Sequence, residues 1–171
     1  MITGDTPIHI DEPLFVLSEA SEITRVPVKS INNWTQREVI SIGTMQRTGR
    51  RLYSILDLCQ LRVMGDLSSV VNVIPGHAAA IAEYVRKRGF ERTERDEDGK
   101  LRWTGTKHGT RNFFLVWNEG DTPKIKHEVG TEWLKNFFWP HPVVVIPVDD
   151  VISSVTKAAM AALERDSEGS E

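Results

Sequence analysis

Leu17, Ala20 and Ile23 repeat at helical spacing, which predicts a first helix over Glu19–Thr24 with Ser18 as its cap. Val26-Pro27 breaks the chain, because proline opens a helix but is not tolerated in its interior. A second helix is therefore expected from Pro27 to about Gln36, burying Val28, Ile31 and Trp34 or Thr35. Lys29, Ser30, Asn32, Asn33 and Arg37 are left on its sides and outer surface. The pattern then changes to β-branched density over Val39–Ile42, with Arg50–Tyr53 as a returning strand and Gly43 and Gly49 as turn residues. Ser54 caps a third helix running to about Leu67, whose Leu56, Leu58, Leu61, Val63 and Met64 close a core under the first two.

The second half of the chain reads differently. A helix from about Gly76 to Arg88 has Ala80, Ile81, Tyr84 and Val85 as its apolar stripe, and its basic end complements the helix dipole. Residues 91–100 are nearly all charged and contain Asp98-Gly99, which predicts an exposed hairpin or loop. Strands are expected at Asn112–Trp117 and Val143–Val148, with a weaker one near Lys124–Val129. Thr131–Phe138 is an aromatic-rich helical or irregular piece. Asp149 or Asp150 is expected to cap a last helix in which Val151, Val155, Ala158, Ala159 and Ala162 share a face. The expected fold class is α+β: an N-terminal winged helix-turn-helix, then a small α+β domain with an antiparallel sheet and a C-terminal helix. The divisions are an arm at 1–14, the winged helix at 15–70, a connecting helix at 71–90, the α+β domain at 91–165 and a disordered tail at 166–171.

Charge sharpens this picture. The 171 residues carry a net −3, but residues 25–62 hold Arg25, Lys29, Arg37, Arg47, Arg50, Arg51 and Arg62 against Glu38 and Asp57, a local balance of +5. The first 24 residues contain five acids and no Lys or Arg. A phosphate backbone meets the local field, not the sum. On the second helix, asparagine amides suit adenine edges and lysine suits guanine. On the hairpin, Arg47, Arg50 and Arg51 suit the two-pronged recognition of phosphate oxygens, and the Tyr53 hydroxyl is one more donor.

The run Thr48-Gly49-Arg50-Arg51-Leu52-Tyr53, followed by Asp57-Leu58 and Leu61, resembles the winged-helix DNA-binding domain of the MerR family of bacterial transcription regulators. The resemblance covers roughly residues 15–68. The family's Thr-Leu-Arg-aromatic-aromatic stretch is matched here by Ser30-Ile31-Asn32-Asn33-Trp34, with asparagines in place of its arginine and first aromatic. It implies DNA-facing positions at Ser30, Asn32, Trp34, Arg51 and Tyr53. The family's long dimerising coiled coil and its metal or drug site are not visible beyond this segment.

Other chemistry is not indicated. There is no Gly-rich phosphate loop or nucleophile elbow, so no enzyme is expected. The five histidines lack ligand spacing, and the acidic run from Glu94 to Asp98 has Gly105 where a calcium loop needs a bidentate glutamate, so no metal or cofactor is expected. The single cysteine, Cys59, reads as a buried hydrophobe in a reducing, cytoplasmic compartment. The longest apolar run, Val143–Val148, is too short to span a bilayer. The expected function is a sequence-specific, double-stranded-DNA-binding transcription regulator acting as a homodimer, located at the nucleoid when bound. Its last helix and its Ala79–Arg88 helix are candidate dimer surfaces, and its C-terminal half is the place for a protein or small-molecule effector. Two alternatives compete: an excisionase-like or phage-derived architectural DNA-binding protein, and an interaction module that binds no DNA.

Overall fold

Glu19 starts the first helix by folding back on the chain before it, its Oε2 accepting the Val16 backbone N–H at 2.7 Å. The computed structural model describes residues 9–69, 73–89, 93–95, 97, 101–103, 112–120, 122–133 and 143–168. Helix α1 (Leu17–Thr24) therefore begins at Leu17, and Ser18, expected as the cap, is an exposed residue of its first turn. The helix ends on Arg25 in the left-handed region, at φ 59°. Pro27 then opens α2 (Val28–Gln36). On this short helix only Ile31 is fully buried, with Trp34 packed against the core's edge. Val28, expected inside, sits in the first turn beyond that edge and is 39% exposed.

Val39–Ile42 is not a strand. Val39 N–H donates to the Trp34 carbonyl at 2.9 Å, and Ile40 and Ile42 are buried plugs in an irregular connector. The β-branched density there reflects burial, which a strand and a connector share. Pairing begins only at β1 (Thr44–Met45), antiparallel to β2 (Arg51–Leu52) with Thr44 opposite Leu52 and Met45 opposite Arg51. Tyr53 follows in a backbone bridge to Phe15, its N–H donating to the Phe15 carbonyl at 2.8 Å.

Helix α3 (Ile55–Ser69) opens on Ser54, the expected cap, and the capping is reciprocal with Asp57. Ser54 Oγ accepts the Asp57 N–H at 3.2 Å, while Asp57 Oδ2 accepts the Ser54 N–H at 2.9 Å. It is buried nearly all round, with Leu58, Leu61 and Met64 fully enclosed, as befits a helix covered on several sides. Helix α4 (Pro75–Gly89) lays Ala78, Ala79, Ile81 and Ala82 on it; Ala80, expected in that stripe, is exposed. The side chains of Val85, Lys87 and Arg88 lie outside the described residues. Cys59 is buried in α3, and burial, with Asp57 adding to the effect, pushes its thiol up to about 12. Alkylation by iodoacetamide at pH 8 is accordingly expected to be orders of magnitude slower in the native protein than in urea-unfolded chain, a difference that mass spectrometry reads directly.

Antiparallel strands β3 (Thr93–Arg95) and β4 (Leu101–Trp103) occupy the charged stretch, and the turn expected at Asp98-Gly99 lies outside the described residues. The main sheet has the order β6–β5–β7, all antiparallel, from β5 (Asn112–Glu119), β6 (Thr122–Val129) and β7 (Val144–Pro147). Of the aromatic piece, residues 131–133 are described, and the Trp133 indole donates to the Gly130 carbonyl at 2.8 Å. Phe137, Phe138 and Trp139 are outside the description.

Helix α5 (Val148–Glu168) starts one residue before Asp149, so that side chain is not its cap. Its buried carboxylate accepts instead from the Asn112 N–H at 2.6 Å and from Asn112 Nδ2 at 3.1 Å, fastening the helix start to the start of β5. Ser167 and Glu168, expected in a disordered tail, continue the helix. Val155, Ala159 and Ala162 pack toward α3 and α1, and Tyr84 of α4 meets Phe114 of β5 edge to face, with centroids 5.3 Å apart. One hydrophobic core thus runs from Ile10 through α3 to Ala162. The chain from His9 belongs to it, since the Ile10 carbonyl accepts the Leu56 N–H at 3.1 Å. Of the two helices expected as dimer surfaces, Ala78, Ala79, Ile81 and Ala82 of α4 and Val155, Ala159 and Ala162 of α5 are buried within the chain. No helix among the described residues is long and apolar enough to cross a membrane.

Candidate nucleic-acid interface

Burying Ile31 fixes the roll of α2 and so decides which side chains look outward. Lys29, Asn33 and Arg37, four residues apart, form one exposed stripe, with half-exposed Asn32 beside it. Gln36, exposed and three residues from Asn33, extends the stripe. It was not singled out from sequence, although the same spacing identifies it. Ser30 and Trp34 are turned elsewhere: they line a cleft of about 290 Å3 whose other walls include Arg25, Val26, Gly65 and Ser68. Trp34, for which the resemblance implied a DNA-facing role, is partly buried and packs against the core.

The wing is built on hydrogen bonds from Gln46. Its N–H donates to the Arg50 carbonyl at 2.7 Å and its carbonyl accepts the Gly49 N–H at 3.0 Å, closing a three-residue loop with Gly49 at φ +78°. Glycine at a left-handed position is what such a loop requires. Arg47 and Arg50 flank the tip, both exposed. Among the described residues, no carboxylate pairs with Lys29, Arg37, Arg47 or Arg50. Arg51 differs: it is half-buried, and its Nη1 donates to the Ile42 carbonyl at 2.8 Å.

Tyr53 also departs from expectation. It is 1% exposed, one of the largest enclosed side chains of the core. Burial raises its phenol above the ordinary value, the Arg51 charge works in the opposite direction, and Asp57 adds to the rise. Its ring is therefore a packing element of the core, and its hydroxyl is expected to add little to duplex binding. Tyr53→Phe is expected to leave duplex affinity within about twofold by fluorescence anisotropy, whereas loss of a phosphate hydrogen bond would cost about fivefold.

No group of three or more His, Cys, Asp or Glu side chains among the described residues is placed to hold a metal ion. What the arrangement offers is a helix stripe of amide and cationic side chains and a two-stranded cationic wing, anchored to one hydrophobic core through Ile31 of α2 and through Ile42 and Tyr53, which flank the wing. That is the construction of a winged helix-turn-helix domain.

Residues 15–84 match the model of the MerR HTH family of regulatory proteins. This segment, α1 to most of α4 with the wing between, is a MerR-type helix-turn-helix domain, and it supports a DNA-binding transcription regulator. No curated protein matches the chain.

Proposed function

We propose that this protein is a non-enzymatic, sequence-specific regulator of transcription that binds double-stranded DNA as a homodimer on a two-fold site. The observation that carries the reading is that consecutive elements, α2 and the wing, present Lys29, Arg37, Arg47 and Arg50 to solvent, with no carboxylate paired to any of them among the described residues. Uncompensated cations on a helix and an adjoining hairpin suit one groove and the phosphates flanking it. In this reading Lys29, Asn32, Asn33 and Gln36 meet base edges, and Arg37, Arg47 and Arg50 meet the backbone.

The homodimer is supported by the small footprint of a single α2 and wing, which two copies would double. The contact has exposed apolar side chains to use: among the described residues, the large ones outside α1–α3 and the wing are Leu14, Ile74, Val129 and Val145. Sedimentation as a monomer at micromolar concentration, both free and on the site, would remove this part. We also propose the sheet-bearing half as the place where a protein or small-molecule effector acts, because α5 ties that sheet to α1 and α3.

Selection of bound duplexes from a random pool, followed by titration of the preferred site, tests the whole. Asn33→Ala and Lys29→Ala should each lose on the order of 1 kcal/mol on the preferred site and little on random duplex. Arg47→Ala and Arg50→Ala should weaken both alike and each lower the slope of log K against log salt by about one. The reading is sunk if no duplex is enriched, or if all four variants bind as the parent does.

A further inference from the structure

Arg51 is the one wing arginine whose guanidinium is already engaged. Nη1 donates to the Ile42 carbonyl at 2.8 Å, nine residues back along the chain. The stem of the same side chain lies over Gly43, where an added Cβ would meet Arg51 Cγ at 2.9 Å and the Leu52 carbonyl oxygen at 3.0 Å. Gly43 is at φ +73°, a conformation that side-chain-bearing residues rarely adopt. Ile42 is itself a buried plug of the core. Residue 42 is thus fixed to the body of the protein, residue 43 makes room, and residue 51 clamps across the root of the hairpin.

The hairpin needs such a clamp. Its strands are two residues each, and a two-stranded ribbon of that size is marginal in water. Without a tie at its root the tip would sample many poses, and binding phosphate would carry the full cost of ordering it. We propose that Arg51 is a positioning residue, which locks the wing root to the Ile42 carbonyl so that Arg47 and Arg50 are already aimed at neighbouring phosphates, and that it contacts no phosphate itself. This inference rests on the DNA-binding reading. It reverses the role that the resemblance gave Arg51.

The test uses the full chain with Arg51→Met, which keeps the stem over Gly43 and removes the donor, Arg51→Lys, which restores a single donor, and Arg50→Met for comparison. Two quantities are read: heteronuclear 15N–1H NOE at Thr48 and Gly49 in the free protein, and the salt dependence of affinity for the selected duplex. Arg51→Met is expected to lower the NOE at the tip, weaken binding about fivefold and leave the salt slope unchanged. Arg51→Lys should recover part of both the order and the affinity. Arg50→Met should do the opposite, keeping the order and lowering the slope by about 0.9. A slope lowered by about 0.9 in Arg51→Met with an ordered tip would overturn the proposal, as would an unchanged tip and unchanged affinity. If the parent binds no duplex at all, the DNA reading fails and takes the aiming role with it, while the NOE arm still decides whether the root is locked.

Discussion

Asp57→Ala is expected to destabilise the protein by about 3 kcal/mol, because two partners lose the same carboxylate. Asp57 is 5% exposed and serves two elements at once. Its Oδ2 takes the Ser54 N–H at 2.9 Å and the Ser54 hydroxyl at 3.0 Å, capping α3, while Oδ1 lies 3.6 Å from Arg86 Nη1 on α4. Removing the carboxylate leaves a buried Ser54 donor without a partner, at a cost of roughly 1–3 kcal/mol. The Ser54 hydroxyl loses the same acceptor, which adds about 1 kcal/mol, while Ser54 Oγ still caps the N–H of residue 57. The ion pair adds less than its burial suggests, because Arg86 keeps 31% of its side chain in solvent and retains its bond to Gln60 Oε1 at 3.3 Å. Ser54→Ala keeps the Asp57 carboxylate and its bond to the backbone, so it should lose only about 1 kcal/mol. Urea titration followed by far-ultraviolet circular dichroism measures both. Equal losses for the two variants would show that the carboxylate does no more than cap.

The reach of the sequence can be judged at this same place. Ser54 as a cap was legible because a serine followed three residues later by an acid, ahead of an apolar run, is a local signal. The second duty of Asp57 was not, since its partner Arg86 belongs to a different helix. The same division holds elsewhere. The two helices, the break at Pro27, the Gly49 turn and the three strands of the main sheet follow from local period and punctuation, and the structure has them all. Val39–Ile42 failed because β-branched residues mark burial without saying what the backbone pairs with. The burial of Tyr53 and the tie of Arg51 to the Ile42 carbonyl were not legible, because the inward or outward turn of a strand-end side chain depends on partners distant in the chain. Asp149 looked like a cap because its true partner, Asn112, is 37 residues upstream. Of the candidate interface, the outward stripe of α2 and the arginines at the wing tip were readable from sequence. Which members of the set turn inward was not.

Gly65→Ala is expected to cost about 2 kcal/mol, against the usual direction for a glycine inside a helix. Replacing an interior helical glycine with alanine ordinarily gains up to about 1 kcal/mol, from a smaller loss of chain entropy. Here an added Cβ would fall 2.5 Å from Val26 Cγ2, a separation no relaxed pair of carbons shows. Val26 is 3% exposed in the turn between α1 and α2, so its side chain is held by its neighbours. Overpacking of this kind costs roughly 1–3 kcal/mol, and because Val26 is β-branched and enclosed, its χ1 has little room to turn and the backbone of the turn is expected to shift. Such a shift is expected to tilt α2, the element carrying Lys29 and Asn33, so affinity for the selected duplex should fall by more than the loss of stability alone explains. Val26→Ala removes the colliding methyl, and by itself should cost about 2 kcal/mol for the apolar surface lost and the void left. In the double variant the methyl introduced at position 65 enters the space that the valine vacated, so the combined loss should fall short of the sum of the two by about 1 kcal/mol or more. Urea midpoints of the four proteins in this cycle, with duplex affinity measured beside them, provide the check. Strict additivity would mean that α3 and the turn do not touch as described, and that the orientation of α2 is set by something other than the close approach at Gly65.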